Sequence, residues 1–339
     1  MISLVTGATG FVGSHVLQAL VAEGTAVRAL IRNPAAAQGQ REAGVEVQVG
    51  DVRDSNVMRE AVRDVDVVYH CAAAVGPGFS AAEIRDVGLN GVRRLLEALR
   101  QTGTGRAVLL TSVNVLGTRN LQLAGEETPC RRSGDAAADV KIEIEALARE
   151  YEERHGIDLT ILRPPMIYGP GDRHNLPQMI RALRRGKFAF IGSRDNVAPI
   201  VHVSDVVQAI LLAGRTPASR GRVYHITDGS HTTIGQFIDS LAALIGCPAP
   251  RKVLPYFIPY LGCLLFEGLS RIHLYRGRPP IARSSLRHLG TSRSFSIERA
   301  CKELGYRPRV SFTQGLSTAV KWIEEHTNGH TAVVSRFAG

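Results

Sequence analysis

The chain has 339 residues, a formal net charge of +10 at pH 7 and 44% hydrophobic residues. That is the make-up of a globular protein, one large α/β domain or two smaller ones, and it excludes disordered and collagen-like classes. The five cysteines form no C-x-x-C pair, which argues against a disulfide scaffold; the histidines lack ligand spacing, so no metal is expected.

The chain opens directly on a strand, Ile2–Val5, with no leader pattern before it, which reads as a cytoplasmic protein. A helix is expected near Val12–Glu23, then strands over Ala26–Ile31 and Val45–Val49 and a helix near Asn56–Arg63. A strand Val67–Tyr69, a helix Ala82–Gln101, a strand Ala107–Leu110, a helix Ala136–His155 and a strand Leu159–Leu162 follow. Strands alternating with helices imply a parallel sheet covered on both faces, and right-handed crossovers make it doubly wound.

After Pro164-Pro165 the alternation loosens. Val201–Asp205 and Val206–Ala213 read as strand, N-cap and helix; Arg222–Thr227 and Thr233–Ile245 repeat that sense. The expected layout is an α/β dinucleotide-binding domain of residues 1–165 and 196–228. A smaller, partly interleaved C-terminal substrate lobe takes 166–195 and 229–330, and 331–339 is a tail. The ligand cleft then lies at the carboxyl ends of the strands. The apolar run Val253–Phe266 is too short to span a bilayer and carries Pro255 and Pro259. It reads as a lid over a greasy substrate, an interfacial patch or a buried helix.

Basic residues crowd late: Arg271, Arg276, Arg278, Arg283, Arg287, Arg293, Arg299, Lys302, Arg307 and Arg309. No RNA-binding aromatic motif, zinc-finger spacing or recognition helix goes with them, so no nucleic acid is expected as a partner. The excess favours anionic ligands, with a peripheral membrane contact as the minor reading.

Between the first strand and first helix stands Thr6-Gly-Ala-Thr-Gly-Phe-Val-Gly13. Gly7 permits the tight turn, Gly10 lets backbone approach a pyrophosphate, and Gly13 lets helix and strand pack closely. The flanking strand and helix raise this above a mere turn and make it a Rossmann cofactor loop. No acid follows the second strand; Arg32 stands there and could hold the 2′-phosphate of NADP. NADP(H) is therefore the expected cofactor, with NAD(H) as the alternative. Asp51, after the third strand, could bind the adenine amino group or cap the next helix.

These residues resemble the extended short-chain dehydrogenase/reductase family of nucleotide-sugar epimerases, 3β-hydroxysteroid dehydrogenases and dihydroflavonol reductases. The resemblance runs through Gly50-Asp-Val-Arg-Asp54, His70-Cys-Ala-Ala-Ala74, Thr111-Ser-Val-Asn-Val-Leu-Gly117, Leu162-Arg-Pro-Pro-Met-Ile-Tyr-Gly-Pro-Gly171, Val201–Asp205 and Leu304-Gly-Tyr-Arg-Pro308. It implies that Gly7, Thr9, Gly10, Phe11, Val12, Gly13, Arg32, Asp51, Val52, Ala72, Ala73, Lys141, Pro164 and Ile167 bind cofactor. It also implies that Ser112 and Lys141 are catalytic, and that the helices Ala82–Gln101 and Ala136–His155 pair across a two-fold axis, burying their apolar stripes in a homodimer.

Lys141 is one of five lysines in an arginine-rich chain. On its own it reads as a solvated residue paired with Glu145 at i+4. The resemblance makes it the lysine of a Y-x-x-x-K motif, whose charge lowers the pKa of a tyrosine one turn earlier. That position holds Ala137, and no tyrosine of the chain has a lysine four residues on. The helical asparagine of the family's proton relay is missing too: Gly88 stands in its place, with Asn90 nearby.

The expected activity is NADP(H)-dependent oxidation or reduction of a hydroxyl or carbonyl group on a small hydrophobic substrate, with an atypical active site. Tyr168, His174 and Asn114 are candidate substitutes for the phenol. A redox-neutral isomerase, cyclase or lyase, or a non-enzymatic NADP-binding protein, are the alternatives.

Overall fold

A computed structural model describes residues 1–76, 78–263, 286 and 290–334. In chain order the strands are β1 (Ile2–Thr6), β2 (Ala26–Ile31), β3 (Glu46–Val49), β4 (Val67–His70), β5 (Arg106–Leu110), β6 (Leu121–Ala124) and β7 (Asp158–Arg163). They continue with β8 (Met166–Tyr168), β9 (Phe190–Ile191), β10 (Ile200–His202), β11 (Arg222–His225), β12 (Val253–Leu254) and β13 (Arg293–Phe295). Seven of them form one parallel sheet in the order β11-β7-β5-β4-β1-β2-β3. The order reverses at β1 and β4, which opens a crevice above their carboxyl ends.

Successive residues of β1 face opposite sides. Leu4 joins a cluster with Val92, Leu95, Leu96 and Ile144; Val5 joins another with Val16, Leu17, Leu20, Val206 and Ile210. The first cluster belongs to α3 (Ser55–Ala61), α5 (Gly91–Thr102) and α6 (Ala136–His155); the second to α1 (Phe11–Ala22) and α8 (Val203–Arg215). The other helices up to α8 are α2 (Ala37–Glu42), α4 (Ala81–Arg85) and α7 (Asn175–Arg184). The doubly wound α/β reading therefore holds.

The single helix expected over Ala82–Gln101 is continuous but not uniform. A π-helical turn, Asp86–Asn90, lies between α4 and α5. Gly88 sits in it because a Cβ there would come within 3.2 Å of Val140 on α6. The expected apolar stripes on α5 and α6 exist, but the chain's own sheet buries them. The outer side of α5 carries Arg93, Glu97 and Gln101.

The smaller core gathers Tyr168, Leu176, Ile180, Phe190, Phe237, Leu241, Leu316 and Ala319 from α7, α9 (Ile234–Leu244) and the last helix, Phe312–Val334. That helix takes in the first residues of the expected tail. The two parts are stitched together: β8 pairs with β10 and β6 with β13. Ala300, Leu304 and Tyr306 also pack into the cluster around α1 and α8.

In the apolar run, helical residues 257–263 leave Phe257, Ile258 and Leu261 exposed, while Cys263 packs inside beside Ile191 and Leu286. The described part is thus half-buried and not a buried helix. Residues 264–266 and Arg271, Arg276, Arg278, Arg283 and Arg287 lie outside the described residues. Among the described residues no helix is long and apolar enough to cross a membrane, and no acidic, histidine or cysteine cluster could hold a metal. None of the five cysteines is in a disulfide.

Candidate functional site

At the tip of β1, Gly7 adopts φ +67°, and a Cβ there would lie 2.7 Å from the Ala72 amide nitrogen. A Cβ on Gly13 would meet the Gly7 carbonyl oxygen at 2.1 Å. Only glycine permits either approach. Gly10 caps α1 without a side-chain hydrogen bond, and the first turn carries no acidic residue. The N–H groups of Phe11, Val12 and Gly13 thus face the crevice end of a helix dipole with nothing to satisfy them. This cradle fits a pyrophosphate. Thr9 is exposed at its rim.

The floor is set by a buried pair. Thr6 Oγ1 and His70 Nδ1 lie 2.9 Å apart, and the Ala72 N–H reaches Thr6 Oγ1 at 3.4 Å. Burial pushes His70 down to about 4, so it stays neutral. Ala72 and Ala73 follow on the loop after β4. Arg32 is exposed at the end of β2, close enough to Asp51 to favour its charged form. Asp51 does not cap the next helix; Asp54 does, accepting from the Asn56 and Val57 N–H groups. Asp51 instead takes Arg53 through its Nε and Nη2 at 3.1 and 2.8 Å, which holds its carboxyl below the usual range. Val52 is buried beside Gly91 at the start of α5.

The second half of the site lies past β5. Ser112 has extended backbone, caps a 3₁₀ turn over Val113–Leu116, and accepts the Asn114 N–H on its Oγ at 3.2 Å. Thr111 next to it is held at three points. Its N–H donates to the Leu162 carbonyl at 2.8 Å, its hydroxyl donates to Glu145 Oε1 at 2.7 Å, and its carbonyl accepts Lys141 Nζ at 2.7 Å. Ser112 and Lys141 are thus joined through one residue. Burial pulls the Lys141 ammonium down to about 8, against the pull of Asp135 and Glu145. Pro164 carbonyl accepts the Val113 N–H at 3.2 Å, so β7 and its Pro164 lean on the same turn; Ile167 follows on β8.

The i+4 pair of Lys141 with Glu145 does not form. Glu145 turns inward to Arg163, whose Nε and Nη2 donate to its two oxygens at 2.9 and 2.6 Å. Arg163 Nη1 reaches the Glu126 carbonyl at 3.3 Å and lies 3.4 Å from His225 Nε2. Burial, and then Arg163, push His225 down to about 3. The pair is almost wholly enclosed, with Arg163 1% and Glu145 2% exposed. Sequence reasoning missed it, because β7 and α6 meet only in the fold.

Ala137 lies in the first turn of α6, partly exposed and one turn before Lys141. Asn90 spends its amide on Asp86 Oδ1 at 3.2 Å. Of the candidate substitutes, Tyr168 is fully buried, packs edge-on against His202 and Phe237, and burial pushes its phenol far above the ordinary value. It belongs to the smaller core and cannot act as the proton donor. Asn114 Oδ1 is taken by Arg293 Nη1 at 3.0 Å. His174 is exposed, and its ring lies 3.7 Å from where a Cβ on Gly76 would stand.

The described late cations are mostly engaged within the chain. Arg299 pairs with Glu127, Lys302 donates to Glu298 at 2.6 Å, and Arg307 reaches the Cys301 carbonyl at 3.1 Å.

The model of the NAD dependent epimerase/dehydratase family matches residues 3–227. The chain belongs to that family. Within it, a Stigmatella aurantiaca protein, 4-hydroxy-2-methyl-3-oxo-4-farnesyl-3,4-dihydroquinoline-1-oxide ketoreductase, is 30% identical over 93% of this chain and 95% of its own. The human short-chain dehydrogenase/reductase family 42E member 1 is 29% identical over 97% of this chain and 88% of its own. The solved structure of MoeE5 in complex with UDP-glucose and NAD superposes with a TM-score of 0.76 at 25% identity, covering 96% of this chain and all of that one. This member of the epimerase/dehydratase family is thus an extended short-chain dehydrogenase/reductase, an oxidoreductase or epimerase-like enzyme that works with a nicotinamide dinucleotide.

Proposed function

We propose that this chain is an NADPH-dependent reductase of a carbonyl group on a hydrophobic small molecule. The observation that carries the proposal is the Ser112–Thr111–Lys141 arrangement, together with an α1 N-terminus that has no side-chain cap. The Stigmatella ketoreductase, whose named substrate carries a farnesyl group, supports the hydrophobic carbonyl. Bound NADPH supplies the hydride. The chain's residues do the rest. Gly7, Gly10 and Gly13 with the α1 N–H groups bind the pyrophosphate, Val52, Ala72, Ala73, Pro164 and Ile167 enclose the cofactor, and Lys141 holds the nicotinamide ribose. Ser112 Oγ donates to the substrate oxygen, and water beside Ala137 delivers the proton that the absent phenol would give. Enzymatic loss of the reduced-nicotinamide absorbance during turnover tests this; product formed at constant absorbance would favour a redox-neutral reaction at the same site.

Arg32 is the basis for NADP over NAD, since a guanidinium suits a phosphate and no carboxylate stands there for a ribose hydroxyl. Arg32→Ala is expected to weaken NADPH binding by about tenfold, the scale of one lost charge-assisted contact, and to leave NADH binding nearly unchanged. Calorimetry with both cofactors checks it, and equal losses would reject the role.

Lys141 gives the site a pH dependence. Its lowered value of about 8 means the ammonium loses its proton as pH rises through that value. NADPH affinity should therefore fall between about pH 7 and 9. In Lys141→Met binding should be weak throughout and the step should vanish. A wild-type affinity that stays flat over this range would show that the ribose does not depend on this charge.

A further inference from the structure

Two arginines among the described residues are buried, Arg163 and Arg293. They are partnered very differently. Arg163 has Glu145 along one edge of its guanidinium. Arg293 has no ion pair among the described residues. The hydrogen bonds of its guanidinium to described residues all fall on Nη1, to Asn114 Oδ1 at 3.0 Å and to the Gly117 carbonyl at 3.4 Å. Nε is buried without an acceptor. The residue is 6% exposed. Burial alone pulls it down to about 10, with no carboxylate working against that pull.

Enclosing a cation with only neutral acceptors is costly, and such a group is found where something else repays the cost. The place narrows what that is. Arg293 begins β13, which lies parallel beside β6. Its side chain reaches the 3₁₀ turn that Ser112 caps, and Asn114 bridges the two: the side chain holds Arg293, and its N–H donates to Ser112 Oγ at 3.2 Å. The uncompensated charge is therefore two hydrogen bonds from the serine. The edge without a partner among the described residues, Nε with Nη2, has the geometry that takes a carboxylate through two parallel bonds.

We propose that Arg293 is the receptor for a carboxylate carried by the substrate, beside the carbonyl that Ser112 holds. The carbonyl part rests on the reductase reading above; the anion site does not need it. A diphosphate fits less well. Its charges call for more than one cation, and among the described residues of the same stretch Arg299 and Lys302 are taken by Glu127 and Glu298. The substrate class is then an amphipathic oxo acid, apolar along its body and singly anionic near the reacting carbon.

The test is a binding measurement. Octanoate and octanamide, alike in shape and differing in charge, are titrated by calorimetry into the NADPH-loaded enzyme, with UDP as a third probe. The wild type is expected to bind octanoate about tenfold or more tightly than octanamide, the worth of a charge-assisted bidentate contact. Arg293→Gln keeps an N–H for Asn114 and should bring octanoate down to the level of octanamide, with NADPH affinity unchanged. Arg293→Lys should retain part of the preference. Equal binding of the two probes by the wild type overturns the proposal, and so does an Arg293→Gln loss seen for UDP and not for octanoate. The wild-type comparison and the lysine variant decide the matter even where glutamine fails to fold. None of these readings depends on turnover, so a failed reductase assay and a failed anion site are told apart.

Discussion

Arg163→Met is expected to cost the fold about 3–5 kcal/mol, because it strands the Glu145 carboxylate, only 2% exposed, without its partner. Both oxygens of Glu145 are committed to Arg163, and Oε1 also takes the Thr111 hydroxyl. Without the guanidinium, Glu145 must keep an unpaired buried charge or take up a proton. Either route loosens Thr111, the residue that joins Ser112 to Lys141. The double variant Glu145→Leu/Arg163→Met separates the pair from its parts. Removing both charges should restore much of the stability, since a buried pair is worth little against apolar residues of similar size. Activity should stay low, because Thr111 has lost its acceptor. Urea unfolding at pH 7 of the wild type, the single and the double variants measures this. A single variant within about 1 kcal/mol of wild type, or a double variant whose losses simply add, would show that the two groups are not coupled as their geometry requires.

Ala137→Tyr is expected to raise carbonyl turnover by about 10²-fold or more, the worth of a positioned proton donor. Position 137 lies in the first turn of α6, where a tyrosine does not disturb the helix interior. Lys141 stands one turn on, fixed by Thr111. An ammonium there stabilises a phenolate, so the new phenol should ionise below its ordinary value and bring a second group into the pH–rate profile. Steady-state rates from pH 6 to 10, in a variant that still binds NADPH, give the answer. Loss of turnover would mean that the reaction needs the open space, as a redox-neutral chemistry could. Unchanged affinity, rate and pH profile would place residue 137 outside the site.

The parallel sheet was legible because each strand is a short apolar run closed by turn residues, a signal carried within a few neighbours. The glycine loop was legible for a similar reason: Gly7 and Gly13 meet backbone closer than any Cβ allows, so the pattern cannot vary. What stayed hidden depends on distant residues. β6 gave no strand signal, since Gln122 and Leu123 are exposed and Leu123 sits in the left-handed region at φ 44°. Its pairing comes only from Arg293 to Phe295. The π turn at Asp86–Asn90 was invisible because the apolar spacing runs through it. Glu145 was read as the partner of Lys141 by helical spacing, and the true partner, Arg163, lies on a strand that the spacing rule does not see. Arg293 was read as one of many basic residues; only burial separates it from the rest. The apolar stripes of α5 and α6 were legible, and the packed sheet shows which residues they meet within the chain.

The pairing of β6 with β13 bears on how the molecule is made. The close contacts of Gly7 and Gly13, the Thr6–His70 pair and the strand pairings of β1 to β4 all lie within the opening third of the chain. The turn that Ser112 begins is different, because Arg293 fastens it from more than 170 residues away. A chain emerging from the ribosome folds its leading parts first. The nucleotide half is then complete while the serine turn still waits for its anchor. Residues 293–310 also supply Tyr306, whose hydroxyl donates to the Thr227 carbonyl at 2.9 Å, and the Arg309 N–H that Asp205 accepts at 2.8 Å. Reactivity is thereby the last property the nascent chain acquires, and a ribosome that stops short of residue 293 releases a chain without the anchor for its serine turn.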